Sequence, residues 1–150
     1  MNLKKILYFL LALPFFFSSC GEEDRDYDQE IRDFIARKNW TIAERTPDGL
    51  FVVIDVPGSA EKPTFSSTVT VDYRGYLLDE SVFDSSFGKT PLTIGLGQVI
   101  RGWTIGIPKF GRGGKGKILM PPSLGYGDRG QNGIPANSVL IFDVELIDFR

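Results

Sequence analysis

The chain has 150 residues, 42% of them hydrophobic, which suits one domain with a packed core. Its formal net charge is −2, and loss of an N-terminal leader carrying Lys4 and Lys5 makes it more acidic, so no nucleic-acid partner is expected. There is no histidine and only one cysteine, Cys20. That removes the usual catalytic base, imidazole metal ligands, a Cys-rich zinc site and any internal disulfide.

Lys4 and Lys5 precede a 12-residue apolar run, Ile6 to Phe17. A membrane-spanning helix takes about 20 residues, so this run reads as a secretory leader. Ser18-Ser19-Cys20-Gly21 resembles a bacterial lipoprotein cleavage site, although Phe17 stands where Leu is more usual. The resemblance implies that residues 1–19 are a signal peptide and that Cys20 becomes the lipidated first residue. The protein would then be exported and anchored in the bacterial envelope, at the outer membrane, on its periplasmic or surface face. Two or more acyl chains hold a protein on a membrane where one does not. The competing reading is an ordinary signal peptide without lipid.

Residues 20–27 read as an acidic tether, with Glu22-Glu23-Asp24 directly after the cysteine. Residues 28–48 read as a short helical extension. Ile31, Phe34, Ile35 and Lys38 fall at i, i+3, i+4 and i+7, which predicts a helix over Asp28 to Lys38. Asp26 or Asp28 is placed to cap it and Asn39 to end it. So short a helix is marginal alone, and is expected to dock on the main domain or on a partner.

From Trp40 the pattern changes to strands. Thr46-Pro47-Asp48-Gly49 signals a turn before a strand over Leu50 to Val56, which Pro57-Gly58-Ser59 stops. Thr68 to Tyr76 alternates, with Val69, Val71 and Tyr73 on one face and Thr70, Asp72 and Arg74 on the other. Lys115 to Met120 and Val139 to Phe149 are further strands, the latter turning Leu140, Phe142, Val144 and Leu146 to one side. Ile100 to Ile107 suits a helix that Pro108 would end. The expected class is α+β: an antiparallel twisted sheet wrapped around a short α-helix, with the helical extension before it. The main domain is taken as residues 49–150.

Gly111-Arg112-Gly113-Gly114-Lys115-Gly116-Lys117 satisfies two phosphate-loop patterns, G-x-G-x-x-G and G-x-x-x-x-G-K. A phosphate cradle needs a following helix whose N-terminal amides face the anion. Ile118-Leu119-Met120-Pro121-Pro122 is strand-like and then broken, and Ile118 stands where a magnesium-holding Ser or Thr belongs. The segment is therefore read as a Gly-rich loop entering a strand, with Arg112, Lys115 and Lys117 facing solvent.

Five short segments remain. They are Tyr73-Arg74-Gly75, Val82-Phe83-Asp84-Ser85-Ser86, Gly97-Gln98-Val99-Ile100-Arg101-Gly102-Trp103, Gly125-Tyr126-Gly127 and Val139-Leu140-Ile141-Phe142-Asp143-Val144-Glu145-Leu146. Singly, each has a plain explanation: core residues, a turn, a cap or a glycine-framed bend. In this order and spacing the chain resembles the FKBP-type peptidyl-prolyl cis/trans isomerases over roughly Gly49 to Arg150. The resemblance implies one proline pocket. Trp103 would be its floor, and Tyr73, Phe83, Val99, Ile100 and Phe142 its walls. The Ile100 backbone N–H and the Tyr126 hydroxyl would be donors to a bound carbonyl. Asp84 would lie at the edge near the rotating amide, and Ile134 on the flap between Tyr126 and Phe142. The chain departs from the family pattern at Leu92, where an aromatic residue is common, and at Gln131, where some members carry His. It also lacks the Arg that often pairs with the Asp, and Lys89 is the nearest substitute.

Such a pocket meets the chemical need. An X-Pro bond turns over in tens to hundreds of seconds because amide resonance must be broken. The twisted transition state has less charge separation than the planar amide, so an apolar cleft favours it relatively. An acceleration of about 10⁵ requires roughly 7 kcal/mol of differential stabilisation. No cofactor is expected. The implied partners are proline-containing polypeptides, rapamycin-type macrolides, and membrane through the lipid on Cys20. The alternative function is an envelope binding or assembly accessory using the same pocket. A chaperone role is disfavoured, because the stretch from Tyr126 to Phe142 is short and the N-terminal helix brief; the same features point to a monomer.

Overall fold

The computed structural model describes residues 25–150. The leader, Cys20 and the acidic Glu22–Asp24 run lie outside the described residues. Helix α1 spans Tyr27–Arg37, one residue earlier at each end than the apolar spacing predicts. Its start is set by Asp26, whose carboxylate accepts the Gln29 N–H at 3.0 Å. Asn39 ends it in the left-handed region, φ 55°. No helix among the described residues is long and apolar enough to cross a membrane.

Seven strands follow: β1 (Glu44–Arg45), β2 (Phe51–Val56), β3 (Thr68–Tyr76), β4 (Val82–Ser85), β5 (Leu92–Gly95), β6 (Gly114–Met120) and β7 (Leu140–Phe149). They form one sheet in the order β1-β2-β6-β7-β3-β4, with β5 also paired to β3. Every pairing is antiparallel. The long central strand β3 is shared along its edge: Thr68–Val71 pair with β5, and Arg74–Tyr76 pair with β4. Strands β1, β4 and β5 are too short to carry a readable alternation, and the sequence pattern does not announce them.

Period-two alternation sends residues to two different cores. On the inner face lie Val52, Val69, Val71, Ile118, Met120, Leu140, Phe142, Val144 and Leu146, packed with Trp103 and Ile107. On the outer face lie Phe51, Val53, Tyr76, Leu119, Val139 and Ile141, covered by Ile31, Phe34 and Ile35 of α1. The short helix thus docks on its own domain. Each fully buried side chain of that kind contributes about 1.5–3 kcal/mol, and such packing is what stabilises a helix too short to hold alone.

The inner face packs on helix α2, Arg101–Gly106. Ile100 is its extended N-cap residue (φ −58°, ψ 148°) rather than its first turn. Pro108 does not simply end the helix; it sits inside a 3₁₀ turn, Ile107–Lys109, that carries the chain on to Phe110. Gly102 and Gly106 share the helix face toward β6. A Cβ on Gly102 would lie 2.2 Å from the Met120 sulfur, and one on Gly106 would lie 2.7 Å from Ile118 Cδ1. Two missing side chains let the helix seat against the strand.

The phosphate-loop look-alike is the entry to β6 and is followed by a single 3₁₀ turn, Pro122–Leu124, so no helix is aimed at an anion. Arg112 and Lys115 are exposed, as expected, whereas Lys117 is half-buried, and all three are ion-paired. Arg112 pairs with Asp148 at 2.6 Å and Glu61 at 2.8 Å, 4.1 Å above the Phe149 ring. Lys117 pairs with Asp55 and lies 5.1 Å from the Trp40 ring centre. Lys115 pairs with Glu145 at 2.9 Å.

Candidate functional site

At one end of the inner core the sheet and α2 leave a cleft of about 510 Å³. Its base is Trp103, only 4% exposed. The Tyr73 and Phe142 rings meet the indole edge-on at 5.1 and 5.3 Å between centroids. Phe83 in turn meets Phe142 edge-on at 5.6 Å. Such contacts set aromatic faces and edges at fixed angles and stiffen the wall. Gly75 permits this packing: a Cβ there would lie 2.5 Å from the Phe83 ring and 2.8 Å from Phe142.

Each wall has a traceable support. Tyr73 comes from β3, and its backbone is locked to the β4 turn. Its N–H donates to the Ser86 hydroxyl at 2.9 Å, and its carbonyl accepts the Ser86 N–H at 3.0 Å. Ser86 is buried and donates its own hydroxyl proton to Asp72 at 2.8 Å. Asp84 is placed by the same turn, its carboxylate accepting the Ser85 N–H at 2.8 Å. The Tyr73 hydroxyl donates to Asp84 at 2.5 Å. Lys89 therefore does not pair with Asp84; it donates to the Ser85 carbonyl at 3.0 Å. Val99 and Ile100 arrive from the 3₁₀ turn Leu96–Gln98, which Thr104 of α2 holds by donating to the Leu96 carbonyl at 2.9 Å.

The roof is Tyr126 and Ile134. Tyr126 follows the Pro122–Leu124 turn. Ile134 closes a tight turn with Gln131, exchanging backbone hydrogen bonds at 2.8 and 3.0 Å. The structure thus brings Tyr73, Phe83, Asp84, Val99, Ile100, Trp103, Tyr126, Ile134 and Phe142 to one cavity. Leu92, Ile94, Gln98, Gln131 and Asn132 also line it. Ile94 and Asn132 have no motif of their own in the sequence. The Leu92-Thr93-Ile94 alternation is the one signal for Ile94, and it is too short to read.

Polar groups in the cleft are short of partners. Among the described residues the Ile100 N–H and the Tyr126 hydroxyl donate to no protein acceptor. Trp103 Nε1 is the one buried side-chain donor there without a partner. Burial, aided by the hydrogen bond and charge of Asp84, pushes the Tyr73 hydroxyl pKa well up. Burial and the Asp84 charge raise that of Tyr126 as well. Both phenols therefore keep their protons at neutral pH and are donors.

A sequence model of the family described as FKBP-type peptidyl-prolyl cis-trans isomerase matches residues 59–147. The chain belongs to that family. It is 42% identical to the FKBP-type peptidyl-prolyl cis-trans isomerase FkpA of Escherichia coli K12, over 81% of this chain and 45% of the relative. It is 44% identical to the FkpA of Buchnera aphidicola from Schizaphis graminum, over 71% of this chain and 43% of the relative. The chain thus spans less than half the length of these curated relatives. The crystal structure of E. coli FkpA superposes with a TM-score of 0.73 at 39% identity, covering 81% of this chain and 58% of that one. That of AtFKBP13 gives 0.61 at 37% identity, covering 69% and 95%.

Proposed function

We propose that the chain is a peptidyl-prolyl cis/trans isomerase that accelerates X-Pro rotation during folding of exported or envelope proteins. The observation that carries this reading is the aromatic cleft with its unpartnered donors. In it the prolyl ring rests on Trp103, between Tyr73, Phe83 and Phe142. The apolar walls strip water from the amide and favour the twisted state, whose charge separation is smaller than that of the planar amide. The Ile100 N–H and the Tyr126 hydroxyl hold carbonyls of the substrate, so the chain on one side of the bond stays fixed while the other turns. Both residues are half-buried, so a bound chain that covers them excludes water from donors that have no competing protein acceptor among the described residues. Asp84, held by Tyr73, presents its carboxylate at the edge beside the rotating amide. Proline-containing polypeptides are the substrates, rapamycin-type macrolides occupy the same cleft, and the protein acts as a monomer.

The test is the cis-to-trans rate of an X-Pro peptide with purified protein, with and without rapamycin. Rapid, rapamycin-sensitive turnover is expected. A folded sample that leaves the rate unchanged would favour the accessory-module reading instead. The membrane location rests on the Ser18-Ser19-Cys20-Gly21 site, read as a lipoprotein cleavage signal. Cys20→Ser is expected to move the protein from the membrane pellet to the soluble fraction, and continued pelleting would refute the lipid anchor.

A further inference from the structure

Phe65 is the most exposed large hydrophobic side chain among the described residues, at 66%. It is held there by an ordered turn. Ser67 N–H donates to the Thr64 carbonyl at 3.0 Å, and the Thr64 N–H donates to the Ser67 hydroxyl at 3.1 Å. The turn is tied to the wall of the cleft, because the Leu96 N–H donates to the Ser67 carbonyl at 3.0 Å. The Phe65 ring then lies against Gly97. A Cβ on Gly97 would be 3.1 Å from Phe65 Cζ and 3.3 Å from Cε1, so a side chain there would press on the ring. Gly97 directly precedes Gln98, Val99 and Ile100, which line the cleft.

We propose that Phe65 is a specificity-determining residue: an apolar platform against Gly97, beside the segment that enters the cleft wall, for a large aliphatic or aromatic side chain of the substrate close to its proline. The proposal rests on the reading of the cleft as the X-Pro site. An extended chain advances about 3.3 Å per residue, so a polypeptide with its proline on Trp103 and a carbonyl on Ile100 passes Gly97 within a few residues. The exposed face of Phe65 offers area but no hydrogen bond, so it selects for apolar bulk and not for a particular side chain.

The experiment uses the whole protein and a peptide series with one constant X-Pro pair. Gly, Leu or Phe is placed two or three residues from the proline, on either side. On one side, Leu and Phe peptides are expected to exceed the Gly peptide in kcat/KM by about three- to tenfold, the worth of partly covering one ring. Phe65→Ala is expected to abolish that preference while leaving the Gly peptide unchanged. Phe65→Leu, which keeps apolar bulk at the same place, is expected to retain part of it. A preference that survives Phe65→Ala, an equal fall for every peptide, or no preference in the wild-type protein overturns the proposal. If the wild-type protein accelerates none of the peptides, the isomerase reading itself fails, a result distinct from turnover without preference.

Discussion

The two faces of the sheet end in different kinds of surface. The outer face carries a cleft of about 420 Å³ next to the α1-covered core. Its charges are matched: Arg74 with Asp143 at 2.6 Å, Lys38 with Glu80 at 2.7 Å, Lys115 with Glu145, and Lys117 with Asp55. The inner face ends in the aromatic cleft, where the Ile100 N–H, the Tyr126 hydroxyl and Trp103 Nε1 lack partners among the described residues. A self-satisfied surface gains little from a ligand. An apolar surface whose donors have no protein partner gains about 0.5–1.5 kcal/mol from each hydrogen bond a ligand supplies. Cleft size alone does not separate the two; the state of their polar groups does.

That contrast can be broken by substitutions on each side. The largest effect is expected at Phe34, fully buried between α1 and the outer face. Phe34→Ala should cost about 3–5 kcal/mol of stability in urea melts, with kcat/KM per folded molecule unchanged. A large loss of turnover in folded protein would show that the two faces are coupled. Trp103→Leu keeps apolar area but removes the floor, and should lower kcat/KM about tenfold, or 1.4 kcal/mol in the barrier. An unchanged rate would remove Trp103 from that role. Tyr126→Phe should weaken macrolide binding by about 0.5–1.5 kcal/mol in calorimetry while leaving the melting temperature in place, since the hydroxyl has no protein acceptor among the described residues. Equal affinity would strike the hydroxyl from the donors.

The smallest effect concerns alkaline pH. Burial first, and Asp84 second, raise the folded-state pKa of Tyr73 above the ordinary value near 10. The stabilisation linked to it is complete below pH of about 10 and is lost as pH rises toward the folded pKa, because the unfolded phenol ionises first. Stability should therefore fall above that pH, and Tyr73→Phe should make the fall shallower. A parallel decline in wild type and variant would mean that other groups govern it.

Much of the fold is legible in the chain. The alternations of Thr68–Tyr76 and Val139–Phe149 define the central strands, and the Ile31, Phe34 and Ile35 spacing defines α1. The fixed order of aromatic residues and glycines, from Tyr73 to Phe142, also points to one pocket. What alternation cannot convey is pairing between distant segments. Leu92–Gly95 becomes a strand only because β3 offers half its edge, and its four residues have no pattern of their own. Ser86 reads as a turn residue, yet its hydroxyl fixes Tyr73 across 13 residues of chain. Lys89 is nearest Asp84 among the cations of its loop, but the Tyr73 hydroxyl takes that carboxylate.

Local composition and periodicity, then, determined the two helices, the longer strands β2, β3, β6 and β7 and which of their faces are apolar, because those depend on neighbours in sequence. Tertiary structure decided the rest: that α1 folds back on Phe51, Tyr76 and Ile141, that Lys117 serves Asp55 instead of solvent, and that the Ile100 and Tyr126 donors are left idle. Each of these depends on which groups from far apart in the chain compete for the same partner. That competition is resolved only when the sheet closes.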